Sequence, residues 1–95
     1  MNVKVNDLVK VRVIKVMDDR FLVRLWGSDS DNNDNLQYVM LGSDVTKDGD
    51  FQKYKPLVDN GILRVKSIKD GIVYLAKSSA FPKERYLKKY LDHVI

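Results

Sequence analysis

Residues 8–16 read LVKVRVIKV, and the alternation in this stretch decides the fold. The side chains of a β-strand point alternately to its two faces, so alternating chemistry predicts a strand with one buried face. The two faces are clearly different: Val9, Val11 and Val13 fall on one, and Lys10, Arg12 and Ile14 on the other. The valine face is therefore predicted to lie in a core and the second face to meet solvent.

Four further strands are predicted by the same reasoning on either side of short polar segments. Residues 21–26 (FLVRLW) follow a turn at 18–20, and residues 36–41 (LQYVML) follow the wholly polar stretch GSDSDNNDN at 27–35. ILRVKSI (62–68) and IVYLAK (72–77) flank Asp70-Gly71. Asp-Gly suits the positive φ angles of a tight turn, so this last pair is predicted to be a hairpin.

The segment between the third and fourth strands is rich in turn residues, and DFQKYKPLV (50–58) can hold only a short helical turn because Pro56 prevents a long helix. Five strands with such an insertion predict a mostly β, five-stranded OB-fold barrel, with an SH3-like barrel as the alternative. Closure also removes exposed strand edges. The predicted core residues are Val9, Val11, Val13, Val23, Leu25, Val65 and Leu75.

The C-terminal part of the chain has a helical pattern. Pro82 favours a helix start, and an apolar stripe follows over residues 82–93 and just beyond. The stripe contains Tyr86, Leu87, Tyr90, Leu91 and Val94, and the basic residues lie largely off it. The sequence thus predicts one domain, with an OB barrel at 1–79 and a basic amphipathic helix within 80–95 packed on it.

The composition restricts the classes of function. The chain has 95 residues and a net charge of +4 from 17 Lys and Arg against 13 acids; without the three aspartates of the 27–35 stretch the balance is 17 − 10 = +7. Such a balance attracts nucleic acid. No cysteine is present, which excludes disulfides, a thiolate nucleophile and a Cys-based zinc site. We expect a soluble cytoplasmic monomer without membrane segments.

Neither catalysis nor metal binding is expected. His93 is the single histidine, and the five glycines stand apart, so no phosphate-binding glycine loop exists. The 27–35 stretch begins like a calcium loop at Asp29, but Asp34 stands where that loop requires Gly, and Met40 where it requires Glu. We therefore expect no enzyme activity, no cofactor and no metal, and interpret 27–35 as a solvated connection.

The strand pattern resembles the S1-type RNA-binding domain over residues 6 to 79. NDLVKVRVIKV (6–16) resembles the first strand of that family, and DDRFLVRL (18–25) occupies the place of the second. YVMLGSDV (38–45) occupies the place of the family's third-strand stretch, and residues 57–79 resemble its last two strands. The resemblance implies an OB-fold and binding of single-stranded RNA.

The family's RNA-contacting residues are only partly present. S1 domains stack bases on aromatic residues of the second strand, and Asp19 and Leu22 occupy those positions here. Leu41 occupies the position of the third-strand histidine, and Arg20 that of the glycine before the second strand. The predicted outer face is accordingly more apolar than that of a typical RNA-binding strand pair, with Ile14, Val39 and Trp26 among its members.

Two functions from different classes remain. The first is a small non-catalytic module that binds nucleic acid, with single-stranded RNA preferred. The second is a module that keeps the S1-like shape but binds a host protein, such as a phage, viral or mobile-element inhibitor or mimic. Under either function, the predicted binding residues are Arg12, Leu22, Arg24, Trp26, Leu41, Arg64, Lys66 and Lys77.

Overall fold

A computed structural model of the chain describes residues 3–26, 36–47 and 49–81. Its five strands are β1 (Leu8–Val16), β2 (Arg20–Leu25), β3 (Gln37–Leu41), β4 (Ile62–Lys69) and β5 (Ile72–Lys77). They form a closed barrel in the order β1-β2-β3-β5-β4, in which β3 and β5 are parallel and every other pair is antiparallel. The predicted mostly β, five-stranded barrel is confirmed, and its strand order is consistent with an OB-like barrel.

The barrel interior contains the residues that alternation assigned to it. Val11, Val23, Val65 and Leu75 are buried, and the remaining three predicted core residues are partly buried against the same cluster: Val9, Val13 and Leu25. Each fully buried side chain of this size contributes about 1.5–3 kcal/mol to folding. The core prediction is therefore confirmed.

Turn chemistry explains how β4 and β5 are joined. Asp70 and Gly71 both have positive φ angles, 53° and 79°. This is the backbone that a two-residue hairpin turn requires, and Asp and Gly tolerate it better than other residues. The hairpin predicted from Asp70-Gly71 is present as expected.

The connection between β3 and β4 contains more helix than the sequence indicated. A short helix, α1 (Gly42–Val45), follows β3 directly, and a 3₁₀ turn at Phe51–Tyr54 leads into a second short helix, α2 (Lys55–Val58). Helix α2 agrees with the predicted short helical turn, whereas α1 was expected to be an irregular turn. Gly42 permits this arrangement, because a Cβ atom there would lie 2.5 Å from the Phe51 ring.

The connection also covers the edge of β1 that β4 leaves unpaired. The Val11 N–H donates to the Gly61 carbonyl (3.0 Å), and the Asn60 N–H donates to the Val11 carbonyl (2.7 Å). Further along β1 the acceptor is a side chain instead of a backbone carbonyl: the Val13 N–H donates to Asp59 Oδ1 at 3.0 Å. Gln52 Nε2 then donates to the Met17 carbonyl at 3.1 Å. The β1 edge is therefore hydrogen-bonded along most of its length without a sixth strand.

The domain continues past the predicted barrel boundary at residue 79. Phe81 is buried within the core cluster, and its N–H donates to the Ser78 carbonyl. The predicted connection at 27–35 and the predicted helix at 82–93 lie outside the described residues. Within the described ranges, no helix has both the length and the apolar character needed to cross a membrane.

Candidate nucleic-acid interface

The outer face of the β1–β2 pair collects cations around a tryptophan. Arg12 and Arg24 are direct cross-strand neighbours, and Val11 pairs with Leu25 one position further along. Pairing extends past the end of β2, since the Trp26 N–H donates to the Lys10 carbonyl at 2.8 Å. Alternation then places the side chains of four residues on the outer face: Lys10, Arg12, Arg24 and Trp26. We call these four residues the Trp26 surface.

Trp26 is open to solvent and flanked by charge. Its side chain is 48% exposed, which is unusual for the largest apolar residue type. The Lys10 Nζ atom lies 5.6 Å from the centroid of the Trp26 ring, and the Arg12 Cζ atom lies 5.1 Å from it. Both distances are within the range of cation–π attraction, which at exposed sites is worth about 0.5–1 kcal/mol. The two cations thus hold the ring while it remains accessible.

Within the described residues, no ion pair neutralises the positive charge on this surface. Among the described residues, the ion pairs join Asp19 to Arg20, Asp50 to Lys53 and Asp44 to Lys66. None of these pairs involves a cation of the Trp26 surface. Instead, Arg12 lies opposite Arg24, and like charges in directly opposed positions destabilise a strand pair. The arrangement therefore favours an external anion that both arginines can contact.

The apolar residues predicted for this face lie further along β2 and β3 and are less accessible. Leu22 is opposite Val39, and Arg20 is opposite Leu41. Val39 was expected on the exposed outer face but is only 1% exposed, and Leu22 and Leu41 are partly buried. The open binding surface thus lies on the β1–β2 pair rather than on the β2–β3 pair.

The remaining predicted cations lie apart from Trp26 and have other roles. On β4, Arg64 Nη1 donates to Asn6 Oδ1 at 3.1 Å, and Lys66 Nζ contacts Asp44 Oδ1 at the same distance. Lys77 is the last residue of β5 and pairs with Leu63 on β4. Because side chains alternate along the strand, that of Lys77 points to the same inner side as that of Leu75. It is half-buried at the end of the barrel, so it does not extend the outer surface.

Lys10 belongs to the site although it was not among the predicted binding residues. Its place beside Trp26 follows from the β1–β2 register, which includes an irregularity between Val13 and Lys15. The available signal was the alternation of β1, which already placed Lys10 on the same face as Arg12. The pairing of Lys10 with a residue beyond the end of β2 could not be read from that pattern alone.

A second feature lies at the opposite end of β2, where the β1–β2 turn meets α1. A pocket of about 660 Å³ opens there between charged and apolar side chains. Arg20 lines it and is bound by Asp19 in a two-point contact, Nε to Oδ1 at 3.0 Å and Nη2 to Oδ2 at 3.1 Å. These hydrogen bonds lower the pKa of Asp19 below its ordinary value. The pocket is further lined by Asp18, Leu41, Ser43 and Phe51.

No metal or catalytic constellation stands out in the part of the chain that is described. Residues 3–26, 36–47 and 49–81 contain no group of three or more His, Cys, Asp or Glu side chains that could hold a metal ion. His93 and the aspartates of 27–35 lie outside these ranges. The described geometry thus comprises the Trp26 surface at one end of β2 and a pocket at the other.

Comparison of the chain with protein-family models, with curated proteins and with solved structures returned no match. The candidate site is accordingly defined by its own geometry.

Proposed function

We propose that this protein is a small, non-catalytic module that binds single-stranded nucleic acid, with RNA preferred, through the Trp26 surface. The observation that carries the proposal is an exposed tryptophan flanked by Lys10 and Arg12. Proteins that bind single strands combine aromatic rings, on which bases stack, with cations that contact the backbone. The proposal includes a cytoplasmic monomer that acts without a cofactor.

Charge and position support this function. Arg12 and Arg24 are close enough to contact one phosphate or two neighbouring phosphates, and no described acid competes for them. In OB-fold barrels the face of the second and third strands commonly binds oligonucleotides, and the Trp26 surface shares β2 with that face. The preference for RNA rests on the resemblance of residues 6 to 79 to S1-type domains.

A protein-binding role is the second candidate, and one observation favours it. Three large apolar side chains that lie near the Trp26 surface are exposed: Leu8, Ile14 and Ile62. Apolar side chains around a tryptophan and arginines are typical of the centre of a protein interface. No acid within the described residues pairs with the cations of the Trp26 surface, which favours a polyanion over such a partner, so we place nucleic acid first.

The single tryptophan of the chain provides the direct test. An oligouridylate of about 12 nucleotides, within the span of one OB-fold, should quench Trp26 fluorescence on binding because a base stacks on the ring. With about three phosphate contacts, affinity should fall roughly 20-fold between about 50 and about 200 mM salt. The deoxy oligonucleotide of the same sequence should bind more weakly.

A matched pair of charge variants separates a specific surface from general attraction. Arg12→Ala and Lys69→Ala each remove one positive charge, and Lys69 lies at the far end of β4, beyond residues 62–64, which pair with β1. We expect Arg12→Ala to weaken binding several-fold and Lys69→Ala to change it by less than about twofold. Equal effects of the two variants, or no quenching at low salt, would reject the nucleic-acid function and leave protein binding as the better proposal.

A further inference from the structure

The outward side chains of β2 form a line from the Trp26 surface to the pocket. Phe21 and Val23 face the core, so alternation turns Arg20, Leu22 and Arg24 outward. The distance along the strand from Trp26 to Arg20 is six residue steps, or about 20 Å. A single strand that stacks on Trp26 and follows β2 therefore reaches the pocket lined by Arg20.

The pocket is large enough to hold a nucleobase. Its volume of about 660 Å³ is within the range of small-molecule sites and exceeds what a purine needs. Leu41 and Phe51 supply apolar wall, and the backbone of Gly42 lies against the Phe51 ring. The Arg20 guanidinium, fixed by Asp19 at two points, offers a planar face, and guanidinium planes stack on unpaired bases.

The free acceptor at the pocket is the Asp18 carboxylate. Both Asp19 oxygens accept hydrogen bonds from Arg20. Asp18, in contrast, is exposed, lines the pocket, and forms no hydrogen bond or ion pair with any residue in the described ranges. An ionised carboxylate can only accept hydrogen bonds. A group that binds the Asp18 carboxylate must therefore donate N–H or O–H groups, which a phosphodiester lacks.

Among the bases, guanine meets this requirement best. Its Watson–Crick edge presents the N1–H and the N2 amino group side by side, so both can donate to the two oxygens of one carboxylate. Uracil places a carbonyl on each side of its single N–H, and adenine and cytosine place a ring nitrogen acceptor beside the amino group. A carboxylate thus discriminates against all three.

We propose that the pocket at the end of β2 holds an unstacked guanine, whose N1–H and N2 amino group donate to Asp18. This inference rests on the proposed function, because the strand must first be held at the Trp26 surface. It adds sequence preference to a surface that by stacking and phosphate contact alone tolerates any base.

Three RNA probes of about 12 nucleotides, U only, UUUG repeats and UUUA repeats, test the proposal by quenching of Trp26. The isolated guanines prevent guanine–guanine structures, and the adenine probe controls for the stronger stacking of purines. We expect the guanine probe to bind about tenfold more tightly than either of the others, as one two-point base contact allows.

Asp18→Asn and Asp70→Asn form the matched pair of variants. Each removes one negative charge, and Asn tolerates the positive φ of position 70. Asp18→Asn should reduce the preference for guanine over adenine to within about twofold, because an amide offers one acceptor instead of two. Asp70→Asn should keep the preference.

The outcomes separate the two proposals. Binding of all three probes with equal affinity overturns the guanine pocket while the proposed function stands, as does a guanine preference that survives Asp18→Asn. Absence of quenching with every probe at low salt overturns both.

Discussion

The Trp26 surface and the outer face of β4 contain the same kinds of residue and differ in how their charges are satisfied. On β4, Arg64 donates to Asn6 and Lys66 pairs with Asp44. On the Trp26 surface, Arg12 faces another arginine across the strand pair. Sequence reasoning grouped these cations into one binding set. The structure shows that those on β4 already have partners within the described domain.

This difference teaches that the number of cations is a poor guide to a binding site. An exposed ion pair such as that between Lys66 and Asp44 gains little and is screened by salt, but it does reduce the charge available to a ligand. Arg12 and Arg24, which have no acidic partner among the residues that the structure describes, keep their charge available to a ligand. The comparison predicts that changes on the two faces separate into strong and weak effects on nucleic-acid binding.

The largest effect is expected for Trp26→Ala, measured with fluorescently labelled oligouridylate because the variant has no tryptophan. Loss of one stacking partner should weaken binding about tenfold or more. The melting temperature should change little, since the ring is about half exposed. Ile68→Ala, which also removes an exposed apolar side chain from a strand, is the control. A comparable loss in the control would place the binding energy outside the Trp26 surface.

An intermediate effect is expected for Arg24→Ala. Binding should weaken a few-fold at about 0.1 M salt, and the slope of log affinity against log salt should become shallower by about 0.7, the contribution of one phosphate contact in a single strand. The melting temperature should stay the same or rise, because the opposition of Arg24 and Arg12 is relieved. An unchanged salt slope would show that Arg24 does not contact the backbone.

The smallest effects are expected on β4. Arg64→Ala and Lys66→Ala should each change RNA affinity by less than about twofold, and Lys66→Ala should lower stability by no more than about 1 kcal/mol in thermal unfolding. A loss as large as that of Arg24→Ala would break the distinction between the two faces. The bound strand would then have to extend across β1 onto β4.

Most of the fold was predictable because alternation and turn chemistry are local signals. The valines of β1 and the Asp70-Gly71 turn determined strands, faces and one hairpin without reference to the rest of the chain. The helix α1 was not predictable from its residues. It is four residues long and depends on the close approach of Phe51 to Gly42, which is a tertiary contact.

The candidate site was predictable in its residue types but not in its arrangement. Arg12, Arg24 and Trp26 were expected on the outer face and do lie together. Lys10 was missed, and Lys77 was grouped with them although it lies at the barrel end, because both placements depend on register between strands. The burial of Val39 likewise depends on neighbours that its own strand does not specify.

The hydrogen bond between the Val13 N–H and Asp59 has a consequence for the way in which the chain folds. It joins residues 46 positions apart, and the parallel contact of β3 with β5 also spans a long stretch of chain. Chains whose native contacts are distant in sequence must lose loop entropy before those contacts form, and they typically fold in milliseconds to seconds. The folding rate of this barrel is therefore limited by the formation of contacts between distant parts of the chain. The last part of β1 gains its hydrogen bond only when Asp59 reaches Val13.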